Sequence, residues 1–173
     1  MQSVTFQLRD FEPGDADAVN DVALAAFAEF RHAYDDWPAI SLGVGDTASL
    51  ATVGEMIVAV SEGEVVGAVT YVGPGRPKRE YFPEHWPVVR MLVVSPAARG
   101  RGIGRALMEE CVRRAERDGA ELIALHTSAI MRVALPLYLR MGFAFDRAVE
   151  PICGVPYAVY VKPLTHPARR EGG

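Results

Sequence analysis

Arg99, Arg101 and Arg105 stand in one glycine-rich stretch, Arg99-Gly100-Arg101-Gly102-Ile103-Gly104-Arg105. An apolar run, Val88-Val89-Arg90-Met91-Leu92-Val93-Val94, and a Ser95-Pro96 stop precede it. A helical pattern follows, with Ile103, Leu107, Met108, Cys111, Val112 and Ala115 on one face. The stretch therefore reads as strand, loop and helix start. A helix start carries free N–H groups and partial positive charge, so cations there are unfavourable until an anion arrives. Glycines let backbone approach such an anion closely, and phosphate is the chemistry this suits. A solvated basic turn is the competing reading.

Other reactive side chains are scattered. Cys111 and Cys153 are too few for a disulfide framework and lie in no metal-ligand spacing. Cys153 has no histidine partner in sequence, and as a nucleophile it competes with plain burial. His32, His85, His126 and His166 form no His-x-x-x-His pair, and no metal is expected.

The elements that must position these residues follow from pattern. The 173 residues suit one domain, with half of them hydrophobic and 23% charged. A net charge of −4 argues against a nucleic-acid partner but permits a local basic pocket. No apolar run approaches the ~20 residues of a membrane span, and the first residues lack a signal-peptide pattern. No membrane partner and a cytoplasmic location are expected. Val4–Arg9 alternates as a strand. Ala16–Phe30 is an amphipathic helix, broken by Tyr34–Pro38, and residues 39–54 read as a loop with a short helix at 47–50. Met56–Val60 and Val65–Val72 form a hairpin, in which Gly67 marks a bulge or close packing. Arg79–Pro87 is irregular. Leu122–Leu125 reads as a buried parallel strand, giving a right-handed strand–helix–strand crossover. In the helix at Arg132–Met141, Pro136 requires a late start or a kink. Phe143–Asp146 and Pro156–Val161 are the last strands.

Two motifs then stand in register. Arg99-x-x-Gly102-x-Gly104, after its strand and turn, resembles the acetyl-CoA motif of the GNAT N-acetyltransferase superfamily. Ala134-x-x-Leu137-Tyr138-x-x-x-Gly142-Phe143, one helix and one strand later, resembles that family's second motif. The resemblance implies an α/β (α+β) fold: a single GNAT-like domain over residues 1–165, with a flexible tail at 166–173. Its central sheet would be mixed and mostly antiparallel, with splayed parallel strands, flanked by helices. It also implies acetyl-CoA as co-substrate, with no metal. Leu92, Val93 and Val94 would pair with pantetheine by backbone, and Arg99, Gly100, Arg101, Gly102, Ile103, Gly104 and Arg105 would hold the pyrophosphate. Tyr138 would be the general acid that protonates the departing thiolate; its alternative is a core cap.

The family's catalytic glutamate position is occupied by Val88, and a frequent asparagine by Met131. Glu84 and His85, just upstream, are the candidate proton acceptors or else solvated loop residues. His126-Thr127-Ser128 could supply polar contacts. Tyr81, Phe82, Trp86, Tyr157 and Tyr160 could wall a substrate pocket or lie in the core. Glu80, Glu84, Asp35, Asp36 and Glu150 could form an acidic mouth for a cationic amine or a solvated surface. The expected activity is acetyl transfer from acetyl-CoA to a primary amine, small molecule or peptide, by direct attack. A non-catalytic acyl-CoA-binding or sensor module on the same fold is the alternative. A dinucleotide-binding domain is a third reading, opposed by Leu107 where its last glycine belongs. A homodimer paired through the terminal strands is compatible with either of the first two.

Overall fold

The structure, a computed structural model, describes residues 5–165. The tail expected at 166–173 lies outside them, as does Val4 of the first predicted strand. One sheet holds seven strands in the order β1-β2-β3-β4-β5-β7-β6. β1 (Gln7–Asp10), β2 (Glu55–Ser61), β3 (Glu64–Val72) and β4 (Val88–Val94) are successively antiparallel. β5 (Leu122–Thr127) runs parallel to β4, and the hairpin of β6 (Ala144–Ile152) and β7 (Val155–Pro163) closes the sheet through β7. A single parallel pair is not the doubly wound sheet that the dinucleotide reading required.

Helices α1 (Ala16–Phe27) and α2 (Trp37–Val44) cover one face, and α3 (Ile103–Arg117) and α4 (Ala134–Arg140) the other. α1 buries Val19, Val22, Ala23 and Ala26 against Met56, Val58, Ala68 and Val93, the 3.6-residue stripe expected of it. Its predicted last turn, Ala28–Phe30, tightens to a 3₁₀ turn. α2 replaces the loop expected after Pro38. Proline in a first turn loses no hydrogen bond, and the Asp36 carboxylate accepts the Ala39 N–H at 3.0 Å. Gly67 serves both roles foreseen for it. Val66 is an extra residue in β3 there, and a Cβ on Gly67 would lie 3.1 Å from Ile103 of α3. β6 extends through Ile152, six residues beyond expectation. Its burial pattern is mostly exposed, so no hydrophobic alternation marks it.

Two features of β4 shape the site. It pairs with β5 at one register position only, Val88 with Ala124, where the Ala124 N–H donates to Pro87 at 3.0 Å. Beyond that point the two strands part, as the resemblance implied. β4 also bulges: Met91 and Leu92 together oppose Val69 of β3, with Met91 at φ +55°. Val89 packs towards α3 before the bulge, and Leu92 and Val94 do so after it. Met91 and Val93 join the α1 side.

The α3 face is fastened to β1 and β2 by ions. Arg114, its side chain 14% exposed, bonds Asp10 at 2.7 Å, Glu55 at 3.0 Å and Glu110 at 3.2 Å. Arg114→Met leaves three partly solvated carboxylates crowded without their shared cation. A stability loss of about 1–2 kcal/mol is expected, read as a lower thermal midpoint.

Candidate active site

The loop from β4 to α3 turns through Gly100 and Gly102, at φ +80° and +79°, a region that L side chains avoid. The first intrahelical bond of α3 runs from the Ala106 N–H to the Gly102 carbonyl at 3.0 Å. Among the described residues, the N–H groups of residues 100–105 have no backbone acceptor. Gly100 and residues 102–105 form part of the wall of a groove of about 340 Å³. Its walls are the Leu92–Val94 edge of β4, Gly104 and Arg105 of α3, Leu137 and Arg140 of α4, Phe27 of α1, and Glu29 and Phe30 just after it. The Ser95 N–H donates towards β3, to Val66 at 2.8 Å. By strand alternation the backbone groups of Leu92 and Val94 then face the gap beside β5. Donors for an anion at one end and a free strand edge at the other fit the two halves of a CoA thioester.

The arginines are arranged differently from expectation. Arg99 already pairs with Glu29 at 2.6 Å, and Arg105 with Glu109 at 2.9 Å. Arg101 is exposed and is absent from the groove wall. The charge conflict at the helix start is thus partly relieved within the chain, while Arg99 and Arg105 both stay on the groove wall.

A second cavity, of about 300 Å³, passes through the gap between β4 and β5. Val89, Leu125, Thr127 and Tyr138 reach it from the α3 and α4 side, and Arg90, Met91, His126 and Tyr157 from the other. Phe27, Leu92 and Met131 line both cavities, so the two meet at the β4 bulge. Tyr138 is only 7% exposed, and burial, with a smaller effect from Cys111, raises its phenol above the ordinary tyrosine range. It is therefore protonated at any working pH. Pro136, in the first turn of α4, sets the late helix start that places it. The buried Thr127 hydroxyl has no hydrogen-bond partner among the described residues.

His126 bonds the Tyr81 phenol through Nδ1, stacks on Phe82 and meets Tyr157 edge-on. Burial, followed by the charges of Arg79 and Arg90, holds its pKa at about 3. It is a neutral imidazole. Arg90 itself is lowered by burial and by Arg79. Tyr34 and Tyr157 share a hydrogen bond that links the segment before α2 to β7 across the cavity.

Several residues named from sequence lie elsewhere. Glu84 and His85 are exposed on the loop before β4 and line neither cavity, so the structure does not bring them to Tyr138. Val88 is sealed in an apolar cluster with Phe82, Ala124 and Val159. Cys153 sits in the β6–β7 turn at φ +44° and lines neither cavity. The acidic mouth is not formed: Glu80, Glu84, Asp35, Asp36 and Glu150 line neither cavity. Among the described residues, Asp46 is the one carboxylate on the second cavity's wall, and it is exposed. Of the five aromatics named, Tyr157 alone is on that wall. Arg79, Arg90 and Tyr34 escaped the sequence reading. The charge interrupting an otherwise apolar strand at Arg90 was the available signal. Among the described residues, no group of three or more His, Cys, Asp or Glu could hold a metal, and no helix is long and apolar enough to cross a membrane.

Comparison with known proteins gives the same picture at family level. The model of the acetyltransferase (GNAT) family matches residues 16–143. A streptothricin acetyltransferase of Streptomyces lavendulae is 28% identical over 178 residues, covering 90% of this chain and 87% of that protein. A solved structure described as histone acetyltransferase HPA2 and related acetyltransferase from Corynebacterium glutamicum superposes with a TM-score of 0.71 at 26% identity, covering 94% and 98% of the two chains. The PaiA N-acetyltransferase of Thermoplasma acidophilum, solved in complex with coenzyme A, gives 0.70 at 13% identity, covering 92% and 99%.

Proposed function

Because the chain belongs to the acetyltransferase (GNAT) family, we propose that it transfers an acetyl group from acetyl-CoA to a primary amine held in the second cavity. The observation that carries this reading is the junction at Leu92. There a groove with phosphate donors meets a separate cavity beside a buried phenol. The N–H groups of residues 100–105 would hold the pyrophosphate, and the backbone of Leu92 and Val94 the pantetheine arm. Acetyl-CoA supplies an activated acyl carbon and leaves as a thiolate. The neutral amine's nitrogen bonds to that carbon as the carbon–sulfur bond breaks; the nitrogen then releases one proton to solvent, and the thiolate gains one. Tyr138 donates that proton, since burial keeps its phenol charged with hydrogen. In the same desolvated site the thiolate's own proton affinity also rises.

The amine's proton is the harder half. An alkyl ammonium with pKa of ~10.4 cannot attack. His126, at about 3, is too weak a base to take its proton. Arg79 and Arg90 act instead on the equilibrium, because neighbouring cations disfavour an ammonium and populate the neutral amine. The deciding experiment measures acetyl-CoA binding by calorimetry and free-thiol release over an amine panel. Saturable binding with amine-dependent release is expected. Tight binding with no release for any amine would instead make the chain a non-catalytic acyl-CoA module.

A further inference from the structure

The second cavity holds two cations and almost no countercharge. Arg79 and Arg90 line it together, and each raises the local potential enough to act on His126. Arg90 is half-buried on β4, immediately before the bulge, and no carboxylate or hydrogen-bond acceptor partners it among the described residues. This is an unusual place to leave a guanidinium unpaired. On the α3 face of the same protein, Arg114, Arg117 and Arg113 are each tied to carboxylates within 3.2 Å. The other groups facing Arg90 offer no relief. His126 is neutral, Tyr81 and Tyr157 have phenols raised by burial, and Asp46 is exposed on the wall. The guanidinium nitrogens of Arg90 keep contact with solvent in the cavity, so a carboxylate that replaces this water gains charge-assisted hydrogen bonds in a partly desolvated site.

We propose that the acceptor is a small amine carrying a carboxylate, an amino acid or a close relative, whose carboxylate is held by Arg90 and Arg79. This rests on the acetyltransferase reading and reverses the cationic acceptor suggested by the acidic residues. The guanidinium of Arg90 offers two parallel N–H groups to the two carboxylate oxygens, a geometry lysine does not supply. Leu92 and Tyr138 share that cavity, so one small molecule can place its anion at Arg90 and its amine at the acyl junction. The volume, about 300 Å³, is at the small end of ligand cavities and suits an acceptor of amino-acid size. With two arginines against one carboxylate, the site stays net positive and still favours a neutral amine.

The test compares amino acids with their amides and with their decarboxylated amines, in thiol-release assays on wild type, Arg90→Gln and Arg79→Gln. Wild type should prefer the carboxylated member of each pair by roughly 10- to 100-fold in kcat/KM. Arg90→Gln should erase most of that preference by raising KM, while acetyl-CoA affinity and the thermal midpoint hold. Arg79 is exposed, so Arg79→Gln gives a smaller loss in a protein whose folding is not at issue. Equal or better rates with the amides and decarboxylated amines would overturn the proposal, as would an unchanged preference in Arg90→Gln. If no amine releases thiol, the acetyltransferase reading fails by itself, and the anion site is read without turnover. N-acetylglycine should then bind wild type by calorimetry at least 10-fold tighter than Arg90→Gln does, and tighter than its amide binds wild type. Equal binding in those comparisons would overturn the anion site as well.

Discussion

Tyr138→Phe is expected to lower kcat for acetyl transfer by roughly 100- to 1,000-fold while changing acetyl-CoA affinity less than about 3-fold. The substitution removes one oxygen and leaves the ring, which packs edge-on against Phe143 at 5.9 Å between centroids. The phenol has no hydrogen-bond partner among the described residues, so the fold loses little. What is lost is a proton positioned where Leu92 joins the two cavities. The measurement is steady-state kinetics beside calorimetric acetyl-CoA titration. A kcat within about 3-fold of wild type would remove Tyr138 from the proton transfer, because a positioned acid contributes at least 10²-fold. A loss confined to KM would make it part of the acceptor's binding wall.

The second large effect is on stability. His126 binds a proton at about 3 in the folded protein and near 6.5 when unfolded. Below pH 6.5 the unfolded chain takes up a proton that the native state refuses. Its contribution is therefore intact above 6.5 and drains away as pH falls towards 3. At about 1.36 kcal/mol per pH unit, the loss reaches roughly 2–3 kcal/mol by pH 4.5. His126→Gln should keep that stability. Chemical denaturation at pH 7 and pH 4.5, on both proteins, reads the difference directly. The variant also controls for carboxylates such as Asp15, Glu55 and Asp118, whose values are lowered by arginine partners and whose contributions fade at more acidic pH. Equal acid sensitivity in the two proteins would mean that water reaches the imidazole through the aromatic cage.

What could be read from the sequence was local. Val88 to Leu107 announces its strand, loop and helix because each residue type answers to its own backbone: glycine at positive φ, proline at a strand end, apolar spacing along α3. Pro136 gave the start of α4 for the same reason. Other features depend on distant partners and left no local mark. Pro38 reads as a breaker unless the Asp36 cap is seen with it. The late part of β6 is held by pairing with β7, and its exposed residues carry no alternation. The pairing of Arg99 with Glu29 spans 70 positions. Charge was the poorest guide. The acidic residues near the presumed mouth face elsewhere, and the two cations that do line the cavity come from a loop and a strand that only folding brings together.

The β4 bulge makes one stretch of this chain sensitive to length rather than to composition. A strand that alternates throughout can exchange one aliphatic residue for another at little cost. Removing Met91, or inserting a residue beside it, would instead exchange the two faces of everything up to Ser95. Leu92 and Val94 would turn towards α1, and their amides would turn from the open edge to β3. The hydrophobicity of the strand would hardly change, yet the groove edge and its junction with the second cavity would vanish together. Relatives that keep this active site should therefore vary freely in which aliphatic residues follow Arg90, and not at all in how many.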